Sequence, residues 1–115
     1  MKKTAKIAVL VSGGGTNLQA LINAEAKGEL KSGKIALVIS NKAGAYALER
    51  AKKAGIRAET VLKKELGSQE AFEQKIISLL DSEGIDLIIL AGFLSILSAD
   101  FTSRYPKRII NIHPS

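Results

Sequence analysis

Short apolar runs alternate with longer amphipathic stretches along this 115-residue chain, and this alternation restricts the possible folds strongly. The runs are rich in Val and Ile and almost continuously apolar, which is typical of parallel strands covered on both faces. The predicted strands are Lys6–Val11, Lys34–Ile39, Asp86–Ala91 and Arg108–Ile112, with a weaker fifth near Arg57–Leu62. Helical stretches fill the intervals. The pattern therefore predicts one α/β domain with an open, mostly parallel, doubly wound sheet.

The helical stretches begin and end at recognisable signals. We expect helices at Leu18–Lys27, Ala45–Ala54, Ser68–Glu83 and Ser98–Arg104. Thr16 and Gln19 match a capping box before the first helix. Ser68 can cap the third helix and Gly84 can end it. Apolar side chains recur at helical spacing in that third helix and predict a buried stripe of Phe72, Ile76, Leu79 and Leu80.

Three consecutive glycines, Gly13 to Gly15, separate the first predicted strand from the first predicted helix. Glycine lets backbone N–H groups approach an anion, and a helix start adds unpaired N–H groups and partial positive charge. This arrangement predicts a phosphate-binding loop; a tight turn without a ligand is the alternative. A dinucleotide site is disfavoured, because Leu18 occupies the third glycine position and no acidic residue ends the second strand at Ser40-Asn41-Lys42.

Asn111 and His113 end the last predicted strand, and His113 is the chain's single histidine. Because side chains alternate along a strand, the two are expected on one face at its carboxyl end, where open α/β sheets bind ligands. A carboxamide can stabilise an oxyanion, and an imidazole can move a proton. A structural histidine is the alternative. No serine–histidine–acid set is identifiable, so the pair fits acyl transfer to a substrate's own nucleophile.

Composition narrows the function classes. The chain has no cysteine, which excludes disulfides, thiolate metal sites and cysteine nucleophiles. The acidic cluster Asp81, Glu83 and Asp86 has no histidine nearby and is interpreted as a solvated helix end, so no metal is expected. The net charge is +6, but basic residues are dispersed and aromatics scarce, which favours an anionic small substrate over nucleic acid. No apolar run reaches membrane-spanning length, so we expect a cytoplasmic protein without a membrane partner.

Four segments taken together resemble the phosphoribosylglycinamide formyltransferase family, folate-dependent enzymes of purine biosynthesis. They are Val11–Ala20, Ser40–Lys42, Leu90–Ser98 and Ile110–Ser115. The resemblance spans the chain in order and implies a Rossmann-like formyltransferase fold, of which residues 1–115 are the amino-terminal mononucleotide-binding portion. Family members are longer, and their third catalytic residue is an aspartate downstream of Ser115. We therefore expect this chain to be truncated relative to the family.

The resemblance also implies an activity and a set of site residues. The family transfers a formyl group from 10-formyltetrahydrofolate, a co-substrate, to the amine of glycinamide ribonucleotide. The implied catalytic residues are Asn111 and His113. The implied ribonucleotide-binding residues are Gly14, Gly15, Thr16 and Asn17. The implied folate-binding residues are Gln69, Leu94, Ser95, Ile96, Leu97 and Asn111. Some relatives carry an arginine at the positions of Gln69 and Ser95.

The sequence is compatible with other functions as well. The chain alone could be a ribonucleotide-binding module without activity. It also resembles methionyl-tRNA formyltransferase and formyltetrahydrofolate deformylase around the Asn-x-His strand, although the glycine-rich loop and the His113-Pro114-Ser115 ending favour the ribonucleotide enzyme. An exposed final strand would allow edge pairing, and hence a homodimer.

Overall fold

Five parallel strands form one sheet in the order β3-β2-β1-β4-β5 in the computed structural model. The structure describes residues 5–29, 33–93 and 97–112. The strands are β1 (Ala5–Val11), β2 (Gly33–Ser40), β3 (Arg57–Thr60), β4 (Leu87–Ala91) and β5 (Ile109–Ile112). The predicted open parallel sheet is therefore confirmed, and all five predicted strands are present.

Five helices lie between these strands. They are α1 (Thr16–Ala26), α2 (Tyr46–Lys53), α3 (Lys63–Leu66), α4 (Gln69–Glu83) and α5 (Ala99–Ser103). Four of them match the predicted helices. The single turn α3 was not predicted, because it buries no residue and so leaves no apolar stripe in the sequence.

The predicted ends of α4 are confirmed, whereas the predicted start of α1 is wrong. Ser68 Oγ accepts a hydrogen bond from the Ala71 N–H at 3.1 Å, and Gly84 ends the helix with a φ of +64°. Thr16 does not form a capping box, because it is already the first helical residue and Gly15 precedes it as the N-cap. The backbone enters α1 through a left-handed residue, a conformation that glycine adopts without strain.

An apolar core lies on each face of the sheet. Leu18 of α1 and Ala47 of α2 pack on one face, and Phe72 of α4 and Phe101 of α5 pack on the other. We call these the α1–α2 core and the α4–α5 core. The predicted stripe of α4 is confirmed, since all four of its members are buried.

The sequence analysis predicted that helices cover both faces of every strong strand, and this prediction is wrong for β5. Ile110 keeps 48% of its surface exposed, whereas Val9 and Leu10 of β1 are fully buried. The reason is position: β1 lies in the middle of the sheet under helices on both faces, and β5 is the last strand of the described sheet.

The strand order changes direction between β1 and β4. The chain proceeds from β1 outward to β3, and then returns to β4 on the other side of β1. Segments following β1 and β4 consequently lead to opposite faces, which opens a crevice at the carboxyl ends of these strands. Ligands bind at such a point in open α/β sheets, so the fold places the candidate site there.

Candidate functional site

The glycine loop, residues 12–17, connects β1 to α1 at this crevice. A Cβ on Gly15 would lie 2.7 Å from Ala47 Cβ and 2.9 Å from Ala47 Cα, so only glycine allows α2 to approach so closely. At Gly13 and Gly14 a Cβ would meet nothing within 4 Å. The loop is therefore held against α2 on one side and open on the other.

The start of α1 supplies hydrogen-bond donors to this open side. The first helical bond runs from the Gln19 N–H to the Gly15 carbonyl at 2.8 Å, so the N–H groups of residues 16–18 have no partner within the helix. Thr16 is exposed, Asn17 is half-buried, and the first turn has no acidic side chain. Partial positive charge at the helix start is therefore not neutralised there, which suits an anion such as a phosphate.

Asn111 lies at the same edge of the sheet. One row of paired residues crosses all five strands and contains the penultimate residue of each, so the strands end level: Glu59, Ile39, Leu10, Leu90 and Asn111. Asn111 is two strands from Leu10, or about 10 Å at the usual strand spacing. The glycine loop begins two residues after Leu10. Asn111 and the loop thus lie on either side of the crevice.

The side chain of Asn111 is exposed at this edge. Ile109 packs against the α4–α5 core and Ile112 against the α1–α2 core, as the strand alternation predicted. Asn111 consequently shares its face with Ile109. An exposed carboxamide at this place is free to donate a hydrogen bond to a bound molecule.

Four of the residues that sequence analysis assigned to the site lie outside the described residues: Leu94, Ser95, Ile96 and His113. Of the remaining folate positions, Leu97 is partly buried against the α4–α5 core. Gln69 begins α4 and donates from Nε2 to Glu73 Oε2 at 2.7 Å. Gln69 also borders a groove of about 560 Å³ between α4 and α5, opposite Ser98 and Arg104.

Glu73 is a buried carboxylate that the sequence analysis missed. It is 6% exposed and joins α4 to the segment before α5, accepting from the Ser98 N–H at 2.7 Å and from Ser98 Oγ at 2.6 Å. Burial alone would raise its pKa, but the hydrogen bonds from Ser98 and Gln69 and the charge of Lys63 lower the pKa overall. The sequence did contain a signal for this burial, since Glu73 directly follows Phe72 of the predicted buried stripe.

Two further polar groups border the glycine loop. Arg50 of α2 donates from Nε to the Gly14 carbonyl at 2.8 Å. The Asn41 N–H, just after β2, donates to the Val11 carbonyl at 3.2 Å, and Asn41 Oδ1 is buried with no hydrogen-bond partner in the described parts of the chain. The sequence analysis used the Asn41 segment for its resemblance to the family and for its lack of an acidic residue, and it assigned Asn41 no role in the site. Nothing in the sequence linked residue 50 to residue 14.

Neither a metal site nor a membrane span is found in the parts that the structure describes. No three of the His, Asp or Glu side chains in residues 5–29, 33–93 and 97–112 are grouped so that they could hold a metal ion. No helix among the same residues has the length and apolarity required to span a membrane.

Known proteins resemble the chain in both sequence and structure. Phosphoribosylglycinamide formyltransferase of Escherichia coli (strain K12) is 46% identical over 109 residues, which cover 95% of this chain and 51% of the relative. The enzyme of the same name from Haemophilus influenzae is 49% identical over 110 residues, with coverages of 96% and 51%. The chain thus spans about half the length of these curated relatives.

Solved structures agree with the sequence relatives. Phosphoribosylglycinamide formyltransferase from Coxiella burnetii, in complex with CHES, superposes with a TM-score of 0.91 at 44% identity, covering 97% of this chain and 52% of that one. The protein of the same name from Brucella melitensis gives a TM-score of 0.92 at 41% identity, with coverages of 98% and 58%. These matches confirm the Rossmann-like formyltransferase fold that the sequence implied.

A family model matches almost the whole chain. It is described as formyl transferase and covers residues 5–115, including the glycine loop, both sides of the crevice and β5. The chain belongs to the formyl transferase family.

Proposed function

We propose that residues 1–115 form the amino-terminal mononucleotide-binding portion of a formyltransferase domain. We propose further that the protein transfers a formyl group from 10-formyltetrahydrofolate to the amine of glycinamide ribonucleotide. One observation carries this proposal: an open glycine loop and an exposed Asn111 lie across the crevice from each other, in a chain of the formyl transferase family. The names of its relatives support glycinamide ribonucleotide as the acceptor.

The ribonucleotide phosphate would bind at the glycine loop. Gly14 and Gly15 let the phosphate approach the backbone. Thr16 and Asn17 contribute backbone N–H groups that have no partner within α1 and can donate to the phosphate oxygens. A phosphate carries up to two negative charges, which the start of α1 favours. With the phosphate there, the rest of the ribonucleotide can extend across the crevice toward Asn111.

The chemical step would take place next to Asn111. The amine nitrogen of glycinamide ribonucleotide attacks the formyl carbon, and the carbonyl oxygen acquires negative charge in a tetrahedral intermediate. The Asn111 carboxamide donates a hydrogen bond to that oxygen, and His113, two residues on in the sequence, stabilises it as well. Collapse breaks the bond to the folate nitrogen, while His113 helps the attacking nitrogen lose a proton and the departing nitrogen gain one.

Formyl-folate would occupy the side of the crevice that follows β4. Leu94, Ser95, Ile96 and Leu97 are the proposed lining of its pterin pocket, and Gln69 and Asn111 the proposed polar contacts. Gln69 Nε2 and the Ser98 N–H both donate to Glu73, which supports this assignment because Ser98 directly follows Leu97 in the chain. We propose no metal ion in the reaction.

Formyl transfer by the full-length protein tests the proposal. With glycinamide ribonucleotide and 10-formyltetrahydrofolate, Asn111→Ala and His113→Ala should each lower kcat by roughly 10²–10³-fold, the usual cost of losing one oxyanion donor. Ile110→Ala is the matched control, since Ile110 lies on the same strand with its side chain on the other face. Unchanged turnover in both Asn111→Ala and His113→Ala would refute their roles.

Substrate exchange in the same assay separates the other functions that the sequence left open. Formylation of methionyl-tRNA, or release of formate without an acceptor, would indicate one of the other formyl-folate enzymes. Calorimetric binding of the ribonucleotide without turnover would indicate a binding module. No binding at millimolar ribonucleotide would refute both the module and the transferase.

Location and assembly complete the proposal. We retain the cytoplasmic location expected from the sequence, which cell fractionation would test. We also propose that the protein can form a homodimer, as the sequence analysis expected from edge pairing of exposed strands. Sedimentation velocity at increasing protein concentration would detect it, and a monomer at every concentration would refute it.

A further inference from the structure

We propose that Arg50 is a positioning residue for the phosphate-binding loop, which it holds with the backbone N–H groups directed toward the ribonucleotide. This inference rests on the proposed function, because it names a residue that prepares the loop for the phosphate. Arg50 lies in α2, outside the loop and far from it in sequence. Its role follows from three contacts and from the planarity of the peptide bond.

Arg50 bridges the two sides of the loop. Its Nε donates to the Gly14 carbonyl at 2.8 Å, and its Nη1 donates to Gln19 Oε1 in α1 at 3.2 Å. The guanidinium also lies over the Tyr46 ring, 4.8 Å from the ring centroid. A planar, permanently charged fork suits this geometry, since it presents two donors in fixed directions while its face contacts the ring.

The bond to Gly14 fixes the direction of the following N–H group. In a trans peptide the carbonyl of one residue and the N–H of the next point in opposite directions. The Gly14 carbonyl points to Arg50, so the Gly15 N–H points away from α2. The Gly13 carbonyl likewise accepts from the Ala47 N–H at 3.4 Å, which directs the Gly14 N–H the same way.

Both N–H groups therefore point away from α2, toward the open side of the loop, where a Cβ on Gly13 or Gly14 would meet no atom within 4 Å. A run of glycines does not hold this arrangement by itself, because a peptide plane between glycines can rotate with little steric cost. Rotation of the Gly14–Gly15 plane would place a carbonyl oxygen where the phosphate oxygens are to bind. Arg50 opposes this rotation, because its hydrogen bond to the Gly14 carbonyl would have to break.

The test compares three variants of the full-length protein by calorimetry with glycinamide ribonucleotide. Arg50→Met should raise the Kd about tenfold, the equivalent of one hydrogen bond lost. Arg50→Lys keeps the charge but cannot reach Gly14 and Gln19 together, so its Kd should still rise about threefold. Lys53→Met is the matched control: Lys53 lies in α2 with Nζ 5.8 Å from the same Tyr46 ring centroid, and its Kd should change less than twofold.

Two further measurements separate positioning from general structural damage. In steady-state kinetics, Arg50→Met should raise the KM for the ribonucleotide about tenfold and leave the KM for formyl-folate within twofold. Backbone ¹⁵N relaxation without any ligand should show lower order parameters at residues 13–15 in Arg50→Met than in the unsubstituted protein. Circular dichroism establishes that each variant is folded.

The outcomes distinguish this inference from the proposed function. If the unsubstituted protein binds no ribonucleotide, the proposed function fails, and the relaxation data alone decide whether Arg50 orders the loop. If it binds and Arg50→Met binds equally well, the role of Arg50 is refuted. Complete recovery in Arg50→Lys would show that charge alone matters and would also refute the positioning role.

Discussion

At the scale of single residues, Gly15 is the position of the glycine loop where a larger residue is least compatible with the fold. Its φ of +81° is strained for any other residue, and a Cβ there would overlap Ala47. Gly14 lies next to it with open space where its Cβ would be. The two neighbouring glycines thus differ in their surroundings: Gly15 allows α2 to pack against the loop, whereas Gly14 faces the open side, where the proposed ribonucleotide phosphate would bind.

Alanine at each position should separate these two roles. Gly15→Ala should lower the free energy of unfolding by about 1–3 kcal/mol, because it adds a strained φ and a contact that α2 must move to relieve. Gly14→Ala should change it by less than about 0.5 kcal/mol, yet should weaken ribonucleotide binding by occupying the open side of the loop. Urea denaturation and calorimetry measure the two effects. Equal stability of both variants would contradict the description of Gly15.

At the scale of elements, Glu73 and Ser98 connect α4 to α5. Ser98 Oγ caps α5 by accepting from the Phe101 N–H at 3.2 Å, and it also donates to Glu73. The carboxylate is buried, and it accepts these hydrogen bonds more strongly while it is ionised, so the connection between the two helices depends on pH.

The sign of this dependence follows from the lowered pKa. The folded state favours the ionised carboxylate, so Glu73 stabilises the fold above its ordinary pKa of 4.5, and that contribution is lost as the pH falls through the lower folded value. Glu73→Gln should therefore be less stable than the unsubstituted protein at pH 7, by about 1–3 kcal/mol, with a smaller difference at pH 3. Urea denaturation at both pH values measures this. A difference that grows at pH 3 would contradict the shift.

The elements also show what the sequence could and could not predict. Continuous apolar runs identified β1, β2, β4 and β5, and Ser68 and Gly84 identified the ends of α4, because these signals are local. The capping box at Thr16 failed, since the conformation of Gly15 depends on how closely α2 approaches. The prediction that β5 is covered on both faces was wrong for a similar reason. The residues Ile109–Ile112 do not by themselves indicate that the strand lies at the edge of the described sheet or how far the helices extend over it.

The same distinction applies to the candidate site. The glycine loop and Asn111 were predicted because each is a short motif next to a strand end. Arg50 and Glu73 were missed, because their partners Gly14 and Ser98 lie 36 and 25 residues away in the chain. A single sequence gives the residues that could contact a ligand more readily than those that hold them in place.

At the scale of the whole molecule, one sheet supports two cores, and the crevice depends on both. The glycine loop leads to the helices of the α1–α2 core, while the segment after β4 leads to the α4–α5 core. If either core loosened independently, one side of the crevice would be lost while the other remained. The shared strands β1 and β4 connect the two, since their alternate side chains enter opposite cores.

Matched substitutions in the two cores test this connection. Leu10 of β1 lies in the α4–α5 core, Leu18 of α1 lies in the α1–α2 core, and both are fully buried. Leu10→Ala and Leu18→Ala should each lower the free energy of unfolding by about 2–5 kcal/mol. Ile110→Ala, at a side chain that is 48% exposed, should cost less than either.

The two tyrosines of the chain report on the two faces separately, because Tyr46 lies in α2 and Tyr105 packs against the α4–α5 core. Tyrosine fluorescence of Tyr46→Phe and Tyr105→Phe backgrounds should give the same urea midpoint within each leucine variant, since a shared sheet makes unfolding a single cooperative transition. Separate midpoints, with the face nearer the substitution unfolding first, would show that the cores are independent. The crevice would then be a junction of two units, and binding on one side could not be expected to organise the other.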